Sequence, residues 1–343
     1  MTRAPRQSSN AVTIAMVARH AGVSTMSVSN VVNGRHVRES TREAVLQAIE
    51  ALNYRPNPAA RALASASAHR IGLIYPNSQS PYLSAVLVGA LDATTRLGAQ
   101  LLIRGFDHEG AEEPVDAVRE LARSGANGLL LTAPLCERLD GVAMPDLAHL
   151  PMIGLSPGSA LEHTDSVRID DFAAAREMTD FLARRGHRRI GFITAPPTHI
   201  VSRTRLAGYR AGLTDNGIEI DEHLIEAGSL TYESGLVAAE KLLSLAERPS
   251  AIFASNDDMA AAVISVAHRR GISIPDQIAV AGFDDSPLCV KIWPTLTSVR
   301  QPIAEITAHA VGKLIERMAN PDRTERKPVT AYLMHELIER GST

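Results

Sequence analysis

Apolar residues recur at Ile14, Val17, Ala18 and Ala21, the i, i+3, i+4, i+7 spacing of one helix face. A second stripe follows at Val28, Val31 and Val32, and a third at Val45, Ala48, Ile49 and Leu52. Thr13 and Ser24 stand where N-caps are wanted, and Gly22 stands where a left-handed residue ends the first helix. Ser40 with Glu43 has the spacing of a capping box for the third helix. Beyond residue 70 the rhythm changes to short apolar runs alternating with helical stretches. The runs predict strands over 71–75, 100–104, 128–131 and 152–155, with helices over 83–97 and 114–123 between them. The series then repeats, with strands over 190–194, 224–227, 251–254 and 278–282 and helices over 172–185, 203–216, 232–245 and 258–270. Such alternation predicts parallel sheets with right-handed crossovers, here in two lobes of about five strands each.

The expected fold is thus an all-α head on an α/β body. Asn57 and Pro58 read as N-cap and N1 of a further short helix over 59–64, followed by an Ala/Ser-rich stretch. That helix is far shorter than the roughly 12 residues at which an isolated helix becomes marginal in water, so it folds only when something covers it. The expected divisions are a head over 1–56, a hinge over 57–69 and a two-lobed body over 70–343.

Charge sharpens the picture. Residues 1–70 hold nine arginines, no lysine and three acids, a net +6, whereas the whole chain carries −3 and the remainder therefore −9. A basic head on an acidic body assigns phosphate contact to the head. Two short helices joined by a glycine-containing turn make a helix-turn-helix, whose second helix fits the major groove of DNA. The outer face of that helix carries Met26, Ser29, Asn30 and Asn33, with Thr25 at its leading end. No apolar run approaches the roughly 18 residues of a membrane span, and residues 1–10 lack an apolar signal segment, so a cytoplasmic protein is expected. Cys136 and Cys289 match no metal or redox spacing and are expected as buried thiols. No metal, cofactor or catalytic residue is expected.

The run Thr13-Ile14-Ala15-Met16-Val17-Ala18-Arg19-His20-Ala21-Gly22-Val23-Ser24-Thr25-Met26-Ser27-Val28-Ser29-Asn30-Val31-Val32-Asn33-Gly34 resembles the head of lactose-repressor-type regulators. So do Thr41-Arg42-Glu43 and Leu52-Asn53-Tyr54-Arg55-Pro56-Asn57, and the likeness runs from about residue 12 to the C-terminus. The resemblance implies lobes of periplasmic-binding-protein type, crossed three times by the chain near 164, 295 and 328. Lobe 1 would then comprise about 70–163 and 296–327, and lobe 2 about 164–295 and 328–343. It implies a homodimer on palindromic double-stranded operator DNA, switched by a small-molecule effector of the sugar or related polar class, with repression as the expected output. The absence of a leucine-heptad tail before Thr343 argues for a dimer rather than a tetramer.

On the same resemblance, DNA contacts fall to Thr13, Ser24, Thr25, Met26, Ser27, Ser29, Asn30, Asn33, His36, Tyr54, Asn57, Ala60 and Leu63. Leu63 matches a leucine wedged into the minor groove, and Ala60 the small residue where two such helices meet. Two positions depart from the pattern: Met16 replaces an acid, and Asn30 replaces an arginine that reads guanine. Asparagine suits adenine, so the base code changes. The effector cleft would take Asn77, Tyr82, Ser156, Ile169, Arg205, Leu230, Asn256, Asp284 and Gln301. Arg205, Asn256 and Asp284 match the positions that hold effector oxygens. Leu230 stands where an aromatic ring often stacks, leaving Tyr82 to stack and Ile169 to serve as an apolar wall. Asn256 and Asp257 also suit a simple helix cap, and His187, between a helix end and a strand start, reads as structural.

Two rivals use the same body. A solute-binding transport protein needs a signal sequence and no helix-turn-helix. An enzyme would need chemistry that no nucleophile triad, metal cluster or phosphate loop supplies. The pairs Asp257-Asp258 and Asp284-Asp285 are the one candidate for paired-acid glycoside chemistry.

Overall fold

The computed structural model describes residues 12–32, 37–54, 69–76, 80–106, 113–320 and 327–343. Asn33, His36, Asn57, Ala60, Leu63, Asn77 and the expected helix over 59–64 lie outside the described residues. The chain divides into two compact units, 1–68 and 69–343.

In the first unit, helices α1 (Ile14–Ala21), α2 (Thr25–Val32) and α3 (Glu39–Ala51) close around Val17, Ala18, Val28, Val31, Val45 and Ala48. Thr13 Oγ1 accepts from the Met16 amide at 3.4 Å, and Ser24 Oγ accepts from the Ser27 amide at 3.1 Å, so both expected caps form. Gly22 takes φ +68° and sends the chain into the turn. The capping box at Ser40 and Glu43 does not form. The Arg38 carbonyl already accepts from the Thr41 and Arg42 amides, so α3 begins at Glu39, whose carboxylate complements the helix N-terminus.

The second unit holds two sheets. Strands β1 (Arg70–Pro76), β2 (Gln100–Phe106), β3 (Gly128–Thr132), β4 (Met152–Leu155), β5 (Asp165–Arg168) and β11 (Thr330–Tyr332) form the first, in the order β11-β5-β4-β3-β1-β2. Strands β6 (Ile190–Ile193), β7 (Ile225–Glu226), β8 (Ala251–Ala254), β9 (Ala279–Asp284), β10 (Thr297–Arg300) and β12 (Glu336–Ile338) form the second, in the order β12-β10-β9-β8-β6-β7. The helices are α4 (Pro81–Leu97), α5 (Pro114–Arg123), α6 (Leu135–Leu139), α7 (Asp171–Arg184), α8 (Ile200–Asp215), α9 (Tyr232–Leu243), α10 (Asp257–Arg269) and α11 (Ile303–Ala319). Helices α7 and α8 pack closely because Gly208 and Gly212 leave room: a Cβ at 208 would stand 2.3 Å from the Phe172 carbonyl oxygen. Among the described residues no helix is long and apolar enough to cross a membrane.

Each sheet has six described strands rather than about five, and the additions explain where the lobes join. Strands β5 and β10 are polar, Asp-Ser-Val-Arg and Thr-Ser-Val-Arg, yet largely buried. Their polar groups are satisfied inside: Asp165 holds Arg317, Ser166 Oγ meets Thr330 Oγ1 at 3.1 Å, and Ser298 Oγ donates to Asp257 Oδ1 at 2.6 Å. β5 belongs to the first sheet and β10 to the second, so the chain changes lobes at 169–170 and 301–302, and again at 333–335 between β11 and β12. Each crossing lies several residues later than 164, 295 and 328. A reading that seeks apolar runs ends each lobe too early. The sheets are also not wholly parallel: β12 runs antiparallel to β10, because it arrives at the edge through a short strap without a crossover helix.

Candidate functional site

The outer face of α2 is open in the head unit. Met26 is 67% exposed, Ser24 and Thr25 are exposed, and Ser27, Ser29 and Asn30 are half-buried. Ser24 Oγ also lies 3.0 Å from Ser27 Oγ. Thr13 is committed to its cap, and Tyr54 packs half-buried against the head core. The described part of the helix thus presents small hydroxyls, one amide and one soft apolar chain, groups that read base edges and thymine methyls.

The body places a polar cluster between the carboxyl ends of its two sheets, where open α/β folds take ligands. Arg205, on α8, is 6% exposed. Its Nε and Nη2 each lie 2.9 Å from Asp171 Oδ1, and its Nη1 donates to the Ser255 carbonyl at 2.5 Å. The guanidinium carbon sits 3.6 Å from the centroid of the Phe283 ring, a desolvated cation–π contact. Arg168 Nη2 lies 3.6 Å from the other Asp171 oxygen, and Arg168 Nε donates to the Ile169 carbonyl at 2.8 Å.

Asp284 ends β9 beside this group, and Gln301 Nε2 donates to its Oδ1 at 2.7 Å. Burial pushes the Asp284 carboxyl up to about 7, with Arg205 opposing the rise. Across from it, the Tyr82 hydroxyl on α4 lies beside Ser156 at the end of β4, and both oxygens are buried without a well-formed hydrogen bond to the protein. Burial raises the Tyr82 phenol well above its ordinary value, so it stays a neutral donor. Tyr82, Asp284 and Gln301 also face a cavity of about 300 Å³, walled by Pro81, Pro287 and Pro302.

Backbone strain gathers here too. Among the described non-glycine residues, positive φ occurs at Asn53, Ser156, Leu230, Asp284 and Asp285; Ser156 directly follows β4, Asp284 ends β9 with Asp285 next, and Leu230 lies four residues past β7. Asp285 is tied down from behind by Arg300 Nε at 2.7 Å and Arg340 Nη2 at 2.7 Å, which holds Asp284 in its φ +106° conformation.

Of the nine residues expected at the cleft, Tyr82, Ser156, Arg205, Asp284 and Gln301 converge. Asn256 does what its bland reading said: Oδ1 caps α10 by accepting from the Met259 amide at 3.0 Å, and Nδ2 donates to the Leu230 carbonyl at 2.9 Å. Leu230 packs against the core of the second lobe, and Ile169 is wholly buried. Asp257 is no simple cap, since it accepts from the Ser286 amide at 2.6 Å and from Ser298 Oγ. His187 meets Ser250 Oγ at 3.0 Å in the turn before β6. Sequence reasoning missed Asp171 and Arg168. The rule that polar groups after a strand line the cleft would have found Asp171, had β5 been legible as a strand.

Residues 13–57 match the bacterial regulatory proteins of the lacI family, and residues 179–343 match the periplasmic binding protein-like domain. The chain is 32% identical over 334 residues to catabolite control protein A of Priestia megaterium, covering 97% of this chain and 99% of that protein. It is 34% identical over 345 residues to the HTH-type transcriptional regulator CelR of Thermobifida fusca, covering 96% of this chain and 98% of that protein. Among solved structures, a complex of the transcriptional regulator CelR with cellobiose superimposes with a TM-score of 0.71 at 30% identity, covering 97% of this chain and 100% of that one. The lac repressor dimer bound to operator and the anti-inducer ONPF gives 0.72 at 26% identity, covering 97% and 99%.

Proposed function

This chain belongs to the lacI family of bacterial regulatory proteins, and from that premise we propose that it holds palindromic operator DNA as a homodimer and answers to a small polar effector in the cleft. The observation that carries the second half is the convergence of Tyr82, Ser156, Arg205, Asp284 and Gln301 from both lobes. The first half rests on the exposed outer face of α2 within a segment that carries +6. Thr25, Met26, Ser29 and Asn30 would face the bases, with Asn33 on the same sequence face. Residues 57–69 are assigned to the hinge on the sequence pattern, and Ala60 and Leu63 to its contacts on the family resemblance.

Regulation then follows from linkage. A ligand shifts the operator equilibrium only by its differential affinity for the two lobe arrangements. Groups supplied by both lobes give it that difference, because they meet only when the lobes are correctly set.

A binding role is favoured over catalysis by what the acid pairs do. Asp257 is consumed by Ser286 and Ser298, and Asp285 by Arg300 and Arg340, so neither pair offers two carboxyls flanking a scissile bond. Fluorescence anisotropy with a labelled palindrome from upstream of the coding sequence tests the reading. Binding that exceeds scrambled DNA at equal salt, and that shifts with one member of a mono- and disaccharide panel, is the expected result. Equal affinity for both DNAs would overturn it.

A further inference from the structure

The charge in the cleft is already spent. Arg205 is the cation that acts on Asp284, and Asp171 claims its Nε and Nη2, both at 2.9 Å. A guanidinium has five N–H groups, and Asp171 and the Ser255 carbonyl take three, leaving two for a ligand. Arg168, the other cation buried among the described residues, turns to the second oxygen of Asp171 and to the Ile169 carbonyl. Against these two cations stand Asp171 and Asp284, with Asp257 and Glu137 close enough to act on them. Asp171 already sits against both guanidiniums, and burial raises the carboxyls of Asp171, Asp284, Asp257 and Glu137 alike, so a further negative charge placed among them would be as poorly solvated as theirs. The remaining groups are neutral: the buried hydroxyls of Tyr82 and Ser156 and the amide of Gln301.

We propose that this cleft selects an uncharged, hydroxyl-bearing ligand over an anionic one such as a sugar phosphate or sugar acid, and that Asp171 sets this preference by claiming the Arg205 guanidinium. The inference rests on the reading of the cleft as the effector site. Asp171 acts through Arg205. With its charge neutralised, the arginine still orients a hydroxyl by two N–H groups but no longer provides the net positive charge that draws in phosphate or carboxylate. Asp284 and Gln301 add an acceptor and a donor from the side of the 300 Å³ cavity.

The test needs no knowledge of the natural effector. Calorimetric titration of the full chain with inorganic phosphate and with glucose 6-phosphate, at matched ionic strength and without DNA, reads the charge preference directly. Wild type is expected to show no saturable site for either anion. Asp171→Asn keeps the shape, frees the guanidinium, and should gain affinity for both anions by at least about tenfold. That gain should vanish in the double variant Asp171→Asn/Arg205→Gln. Should Asp171→Asn fail to fold, Asp284→Asn removes the other carboxylate facing Arg205 and should give a smaller gain in the same direction. Saturable anion binding to wild type that Arg205→Gln abolishes would overturn the proposal. So would a folded Asp171→Asn, or in its place a folded Asp284→Asn, with no gain. An anion that binds wild type at Arg205 and shifts operator affinity would overturn the charge preference and leave the regulator reading standing. Failure of the operator assay alone leaves these titrations unaffected.

Discussion

Gly158 of the first lobe lies so close to Val201 in the first turn of α8, on the second lobe, that a Cβ at 158 would stand 2.1 Å from the Val201 nitrogen. Around this contact, Thr204 Oγ1 donates to the Gly158 carbonyl at 2.8 Å and the Gly158 amide donates to Glu137 Oε1 at 2.6 Å. The lobes therefore meet here with backbone against backbone, clasped by the Thr204 hydroxyl.

Gly158→Ala should act as a wedge. The conflict is with backbone, which cannot rotate away, and overpacking of this kind costs roughly 1–3 kcal/mol. A lower melting temperature together with faster amide exchange at the start of α8 is expected. Wild-type values for both would mean the contact is not made in solution.

Arg205→Ala would do more than weaken a ligand. Removing one partner of a buried ion pair costs about 3–5 kcal/mol, because the stranded charge remains. Asp171 would lose its two 2.9 Å contacts and keep only Arg168 at 3.6 Å, so thermal stability should fall. The double variant Arg205→Met/Asp171→Asn should recover part of it, because the amide oxygen at 171 still serves the buried Arg168. A single variant as stable as wild type would show that the pair is not formed.

Tyr82→Phe separates binding from folding. Its hydroxyl is buried without a good internal partner, so its removal should leave the melting temperature unchanged or raise it. The same change should weaken the effector found in the saccharide panel by about 2- to 10-fold, one neutral hydrogen bond of roughly 0.5–1.5 kcal/mol. Loss of stability with intact ligand affinity would assign the hydroxyl to the fold.

Asp284 makes stability depend on pH in the sense opposite to a salt-bridged carboxylate. Its carboxyl titrates near 7 when folded and near 3.8 when free, so folding takes up a proton in between. The contribution is complete below the free value and is lost as pH rises towards 7. Wild type should therefore lose more stability than Asp284→Asn between pH 4 and 7 in urea melts. Parallel profiles would place the Asp284 carboxyl in contact with solvent.

Asn30→Arg should move base preference towards guanine at one symmetric pair of operator positions, since a good bidentate pair discriminates by about 1–3 kcal/mol. Selection of bound sequences from a random pool compares the two proteins. An unchanged consensus would turn position 30 away from the bases.

The three head helices, the αβ alternation and the two lobes were legible because each rests on a local signal. Thr13, Ser24 and Gly22 announce helix ends within four residues of themselves, and Val17, Val28 and Val45 fall on stripes that only one face can bury. Asp284 was legible as a polar group after an apolar run and Tyr82 as an aromatic near the first strand, whereas Arg205, at a helix start, was legible through the family resemblance. Strands β5 and β10 were not, since their polarity is cancelled by partners more than a hundred residues away, or 41 in the case of Ser298 and Asp257.

By itself the sequence determined the kind of elements, their order and the charge division between head and body, because periodicity and capping act over a few residues. The tertiary structure alone decided what the polar groups do. Asn256 became a cap, Asp257 a clasp for Ser286 and Ser298, and Asp171 the counter-charge of Arg205. A side chain's role depends on which partner reaches it first in the folded chain, and those partners lie 3, 29, 41 and 34 positions away. Only the 3-residue cap lies within reach of a local pattern. The others all lie within the second lobe, and they required its strands and helices to be folded together before hydrogen bonds could form out of contact with water.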